Sequence, residues 1–149
     1  MPIKIKLIPS ESGALPDKPE YATEGSAAFD LKAFISKPVI IMPGELKSLP
    51  TGIAVELPSD GYAAFVFARS GLATKHGICL SNGVGVIDSD YRGEIKVGLY
   101  NLSNKEYVVS PGDRIAQLSV VPVLQIEPVY MTELSESGRG EGGFGSTGR

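Results

Sequence analysis

The sequence predicts an all-β fold: a single-domain, jelly-roll-like β-barrel or sandwich with one short helix and a flexible C-terminal tail. Three observations carry this reading. Short segments rich in β-branched and aromatic residues recur along the chain, glycine and proline turn signals separate them, and only one stretch has a helical pattern. The 149 residues suit one domain, and the 42% hydrophobic and 21% charged content is that of an ordinary globular chain with a core.

At the N-terminus Ile3, Ile5 and Leu7 alternate with Lys4, Lys6 and Ile8, the period of a half-buried strand. Further strands are expected at residues 39–42, 53–57, 62–67, 78–80, 84–87, 94–102, 107–109, 115–121 and 125–130. Pro43-Gly44, Pro58-Ser59-Asp60-Gly61 and Pro111-Gly112-Asp113 combine a fixed φ with residues suited to tight reversal. Residues 70–76 read as the short helix, with Ser70 placed to cap it. No repeat with a period of about 20–50 residues is visible.

Residues 1–134 form the expected domain, and 135–149 differ in kind. This tail has six glycines, two arginines and one aromatic, Phe144, so burial alone does not offset the entropy of ordering it. It reads either as a disordered terminus or as a segment that orders over a ligand.

Net charge is −3 and the pI is about 5.2, which speaks against a nucleic-acid partner. A small anionic ligand needs only a few placed arginines. The lone cysteine, Cys79, allows no internal disulfide and points to a reducing compartment. The start of the chain has no signal-peptide pattern, and no run approaches the roughly 18 apolar residues of a membrane span. A cytoplasmic protein with no membrane partner is expected. One histidine and one cysteine do not make a zinc site by themselves, so a metal here is expected to be a hard cation such as Mg²⁺. His76 and Cys79 read as packing residues.

Four stretches carry possible chemistry. In the first, Arg69, Ser70 and Gly71 follow an apolar strand and open the helix; this is either an anion site or a capped helix with a surface arginine. The second runs from Leu80 to Gly93, two strands about a turn at residues 88–91. Gly83 and Gly85 interrupt its first strand, as glycine does at a bulge or where a ligand approaches backbone. Folding about the turn sets Asn82 opposite roughly Lys96, and the Asn82 amide suits a base edge. Asp88 and Asp90 also read as plain turn residues. The third is Gly112-Asp113-Arg114-Ile115-Ala116-Gln117-Leu118, whose alternation places Arg114, Ala116 and Leu118 on one face and Ile115 and Gln117 on the other. The fourth is the tail at 140–148. It is not a P-loop, because no lysine precedes Ser146 and no helix follows. Its backbone donors, hydroxyls, Phe144 and the nearby Arg139 suit wrapping phosphates and stacking on a base.

Taken together these motifs resemble the trimeric dUTP diphosphatase (dUTPase) family over essentially the whole chain. The set begins with Ser26-Ala27-Ala28-Phe29-Asp30-Leu31 and Ala68-Arg69-Ser70-Gly71-Leu72-Ala73. It continues with Gly85-Val86-Ile87-Asp88-Ser89-Asp90-Tyr91-Arg92-Gly93, the segment from Gly112 to Leu118, and the tail. Ala28 stands where the family usually has glycine, and Ala68 where it usually has proline.

The resemblance implies hydrolysis of dUTP to dUMP and pyrophosphate, which keeps dUTP low and supplies dUMP for thymidylate synthesis. Asp88 would activate water for in-line attack on the α-phosphorus, since an aspartate carboxylate is ionised at neutral pH. Mg²⁺ would be held by phosphates and water with no direct protein ligand. Arg69, Ser70, Gly71 and Gln117 would grip the phosphates, with Asp30 and Arg114 in the outer shell. Arg139, Phe144, Gly145, Ser146 and Thr147 would close over the nucleotide. Asn82 and backbone at Gly85, Val86, Ile87 and Asp88 would read uracil; cytosine would leave buried groups unpaired, a mismatch that costs about 10⁴-fold. Tyr91 would exclude a 2′-hydroxyl, and Lys96 would make a backbone contact. The family implies a homotrimer with its sites at subunit interfaces.

Two rivals remain to be weighed. A dCTP deaminase resembles the same fold but uses a glutamate two residues beyond the position of Asp90, where this chain has Arg92. A non-catalytic β binding module would be expected to lack Asp88, Tyr91 or the tail.

Overall fold

The computed structural model describes residues 1–143, and among them short strands and one helix follow each other in an all-β architecture. The order is β1 (Lys4–Leu7), β2 (Phe29–Lys32), β3 (Val39–Ile41), β4 (Leu46–Pro50), β5 (Ile53–Glu56), β6 (Tyr62–Phe67), α1 (Ser70–His76), β7 (Ile78–Leu80), β8 (Gly85–Ile87), β9 (Lys96–Asn101), β10 (Tyr107–Val109) and β11 (Arg114–Pro122). All pairings are antiparallel. They make a four-stranded sheet β2-β11-β6-β8, a three-stranded sheet β4-β9-β7, and the pairs β1-β5 and β10-β3.

Alternation sorts the side chains between core and surface. In β9, Val97, Leu99 and Asn101 are buried while Lys96, Gly98 and Tyr100 are not. In β2, Phe29 and Leu31 enter the core, which turns Asp30 and Lys32 outward. Leu31, Ile41, Ile78, Ile95, Leu99, Ile115 and Leu118 are almost fully buried, and each stabilises the fold by roughly 1.5–3 kcal/mol through apolar burial.

β2 and β4 are absent from the sequence expectation. FDLK carries two charges in four residues, and LKSLP has weak strand propensity and a proline; pairing with β11 and β9 overrides both. Pro50 is tolerated because β4 is an edge strand and Pro50 is its last residue.

The strand expected at 125–130 does not form. Those residues have no partner strand within the described chain, and Leu124, Ile126, Val129 and Tyr130 are 77–92% exposed.

The expected two-stranded hairpin is divided between two sheets. β7 pairs with β9, the chain turns at Asn82 and Gly83 (φ +72°), and β8 then pairs with β6 rather than β9. Ser81 still donates to the Gly98 carbonyl, so the register of β7 and β9 carries Asn82 to about Val97, one residue from the expected Lys96. Lys96 itself pairs with Pro50.

α1 starts one residue earlier than expected in its cap. Arg69 is the N-cap residue, with extended backbone and no side-chain cap, and Ser70 is the first helical residue. Gly77 closes the helix in the left-handed region (φ +67°).

The turn between β4 and β5 is a fixed point for the loop that enters β9. Thr51 Oγ1 donates to the Ile95 carbonyl at 2.6 Å, the Ile95 amide to the Ile53 carbonyl at 2.8 Å, and the Gly52 amide to the Glu94 carboxylate at 2.8 Å. Gly52 has φ +68°, and a Cβ there would lie 2.7 Å from Phe34 Cδ1 and 2.8 Å from Pro16 Cγ. Gly52→Ala is therefore expected to destabilise the protein by about 2–4 kcal/mol, from left-handed strain and overpacking. Urea denaturation checks this; an unchanged midpoint would contradict it.

Candidate active site

The outward face of the four-stranded sheet gathers most of the residues expected on the phosphate side. Gln117 in β11 lies opposite Asp30 in β2 and Phe67 in β6, so the three side chains share that face. Simple alternation put Arg114 on the face opposite Gln117. The structure corrects this: a bulge between Arg114 and Ala116 shifts the register by one, and Arg114 pairs with Lys32. Ile115 and Ala116 are then buried in succession, and Arg114 comes round to the side of Asp30 and Gln117.

Asp30 is the junction of this group. Its Oδ1 accepts from Arg69 Nε at 2.9 Å and its Oδ2 from Arg114 Nη1 at 3.4 Å. Arg69 Nη1 also donates to the Arg114 carbonyl at 3.2 Å. These bonds use two of the five guanidinium donors of Arg69 and leave the others for an anion. Gln117 Nε2 donates to the Ala68 carbonyl at 3.1 Å, which holds the amide beside the Arg69 backbone. The helix start adds uncapped amides at Ser70, Gly71 and Leu72, since its first bond is from Ala73 to Arg69. Arg69, Ser70, Gly71, Arg114, Gln117 and Asp30 line one cleft with a volume near 580 Å³. Burial raises the Tyr107 pKa first and the Asp113 charge adds to this, while the Arg69 charge opposes it.

A second cleft of about 440 Å³ is lined by Val86, Ile87, Asp88, Tyr91, Glu94, Ile95 and Lys96. Asp88 is exposed just after β8, and its carbonyl accepts the Tyr91 amide to close the turn. None of the ion pairs among the described residues uses Asp88, in contrast to Asp30. Arg92 donates to the carbonyls of Ser89 (2.7 Å) and Tyr91 (3.0 Å) and braces the turn.

Asn82 and Gly85 line neither of these two clefts. Gly85 makes its close approach to protein rather than to a ligand: a Cβ there would lie 3.1 Å from Val66 Cβ across the ladder and 3.6 Å from Asn82 Nδ2. Arg139 is exposed and donates to the Gly142 carbonyl in a local turn. Phe144, Gly145, Ser146 and Thr147 lie outside the described residues. Sequence reasoning missed Ser26 and Ser119 in the first cleft, and Glu94 and Ile95 in the second. Ser119 was legible as the next outward position after Gln117; Glu94 had no signal beyond following Gly93.

A family model described as dUTPase matches residues 16–148. The chain belongs to the dUTPase family. It is 52% identical over 146 residues to the deoxyuridine 5'-triphosphate nucleotidohydrolase of Desulfitobacterium hafniense (strain DSM 10664 / DCB-2), covering 98% of this chain and 97% of that protein. It is 48% identical over 147 residues to the enzyme of the same name from Idiomarina loihiensis, covering 99% and 97%. Among solved structures it superposes on a point mutant of the Staphylococcus bacteriophage 80alpha dUTPase with dUpNHpp, at TM-score 0.85, 26% identity and 99% coverage of both chains. Against the usual dUTPase pattern, Ala68 replaces proline, yet the group that Gln117 uses there is the backbone carbonyl, which either residue supplies. Ala28 lines the first cleft in place of glycine.

Asp30→Ala would leave two guanidinium groups facing each other without a counter-charge. It is expected to weaken binding of inorganic triphosphate by at least about tenfold while the circular dichroism spectrum is retained. Calorimetric titration checks this, and unchanged affinity would remove Asp30 from the site.

Proposed function

We propose that this chain hydrolyses dUTP to dUMP and pyrophosphate, with Asp88 activating the attacking water and the Asp30-anchored arginine cleft holding the phosphates. The observation that carries this is the contrast between two aspartates. Asp30 is committed to Arg69 and Arg114, whereas Asp88 stands exposed at a cleft with its carboxylate outside every ion pair among the described residues.

The Asp88 carboxylate accepts a proton from water, and the hydroxide equivalent attacks the α-phosphorus in line with the leaving pyrophosphate. Arg69, Ser70, Gly71 and Gln117 donate to phosphate oxygens and take up the developing charge. Tyr91 bounds the deoxyribose, Asn82 and the backbone of Gly85, Val86, Ile87 and Asp88 read uracil, and Lys96 closes the second cleft. The described residues contain no group of three or more His, Cys, Asp or Glu placed to hold an ion. Triphosphate oxygens and water would hold Mg²⁺, with Asp30 and Arg114 beyond its ligands. Bound there, Mg²⁺ offsets the negative charge of the phosphates.

The assembly belongs to the same proposal. The two clefts share no lining residue, and Leu124, Ile126, Val129, Tyr130 and Leu134 are 77–92% exposed on the arm that leaves β11. A homotrimer with sites at subunit interfaces would cover that arm and join the clefts of neighbouring copies. Residues 1–134 then form the domain, and 135–149 the tail that brings Arg139, Phe144, Gly145, Ser146 and Thr147 over the nucleotide. No helix among the described residues is long and apolar enough to cross a membrane, and the free Cys79 suits the reducing cytoplasm.

Deamination of dCTP is disfavoured by Arg92. A cation folded onto the turn carbonyls stands where that reaction needs a carboxylate. Asp88→Asn is expected to lower kcat for dUTP by roughly 10²–10⁴-fold while dUpNHpp still binds. Steady-state kinetics paired with calorimetry checks this; near-normal turnover would take Asp88 out of the mechanism.

A further inference from the structure

Resting on the reading that Tyr91 bounds the sugar, we propose that Gly93 is the positioning residue that sets sugar selectivity by giving the Tyr91 ring a flat backbone seat. A Cβ built on Gly93 would overlap Tyr91 Oη, and it would lie 2.5 Å from Cζ and 3.0 Å from Cε2. No side chain fits there while the ring is in place. Gly93 is not among the glycines with positive φ, so its need for glycine comes from this contact.

The seat is fixed at its far end. Tyr91 Oη donates to the Glu94 carbonyl at 3.0 Å, so the ring folds over Gly93 onto its own loop. Glu94 is tied in turn by its carboxylate to the Gly52 amide at 2.8 Å, and the neighbouring Ile95 bonds to both Thr51 and Ile53. Gly52 is locked against Phe34 and Pro16. The ring therefore rests on a wall anchored to the β4–β5 turn, and Tyr91 lines the cleft beside Asp88. Excluding one hydroxyl requires a surface that does not yield by an ångström, and this wall is built before any ligand arrives.

Because the overlapped atoms are the end of a side chain, a methyl at position 93 is relieved by swinging the ring off its seat. The fold remains and the barrier to a 2′-hydroxyl is lost. Three variants, Gly93→Ala, Tyr91→Ala and the double variant, are compared by kcat/KM for UTP and for dUTP, with melting temperatures as a check on folding. Gly93→Ala is expected to raise the UTP to dUTP ratio by at least about tenfold, as Tyr91→Ala does, with the double variant adding nothing further. A merely structural role would lower both rates together and leave the ratio unchanged. If Tyr91→Ala admits UTP and folded Gly93→Ala does not, the Gly93 proposal is wrong. If Tyr91→Ala also fails to admit UTP, the steric role of Tyr91 fails first. If Gly93→Ala unfolds, a double variant that folds supports the ring contact, and one that does not fold overturns it.

Discussion

The arrangement of the phosphate cleft depends on one carboxylate, Asp30, which lies between two guanidinium groups. Arg69 follows β6 as the N-cap residue of α1, Arg114 opens β11, and Asp30 comes from β2, so three segments converge on a single charge. The Asp30 and Arg69 side chains are largely shielded, at 19% and 26% exposure, where an unpaired charge is costly. With the pair in place, Arg69 keeps donors free to face a triphosphate. The contrast with the surface bridge Lys4–Glu56, 80% and 42% exposed, is one of purpose: the bond there lowers the Glu56 pKa but holds no cleft together.

Much of this was legible in the sequence because its signals are local. Asp30 was named through its motif, although the strand whose alternation turns it outward between the core residues Phe29 and Leu31 was not expected. The motif around Asp88 and Tyr91 falls at the turn where it was expected, and β6, β7 and β10 have the expected bounds. The failures arise where a tertiary partner decides. The face of Arg114 depends on a bulge, and no residue in Arg114-Ile115-Ala116 announces one. The separation of β7 from β8 depends on β6 offering a second edge. Residues 125–130 have strand composition, but a strand needs a neighbour, and the described chain supplies none.

The first cleft is lined by β2 and the segment entering it, by β6, β11 and the start of α1, the second by β8 and the loop into β9, and no residue belongs to both. Each half has bonds of its own, the first through the Asp30 pairs and Gln117, the second through Arg92, Glu94 and the β4–β5 turn. Under the proposed assembly such halves would need only to be brought together, which would place the ordering cost on association rather than on the chemical step.

Water attack on the α-phosphorus of a deoxyuridine nucleotide leaves a signature in isotope-labelled turnover. The protein would be incubated with Mg²⁺ and dUTP, dCTP, dTTP or UTP in H₂¹⁸O, and the products analysed by mass spectrometry. The account predicts turnover of dUTP with strong preference over the other three, and ¹⁸O in dUMP with none in pyrophosphate. Label in pyrophosphate, or comparable turnover of all four nucleotides, would contradict it.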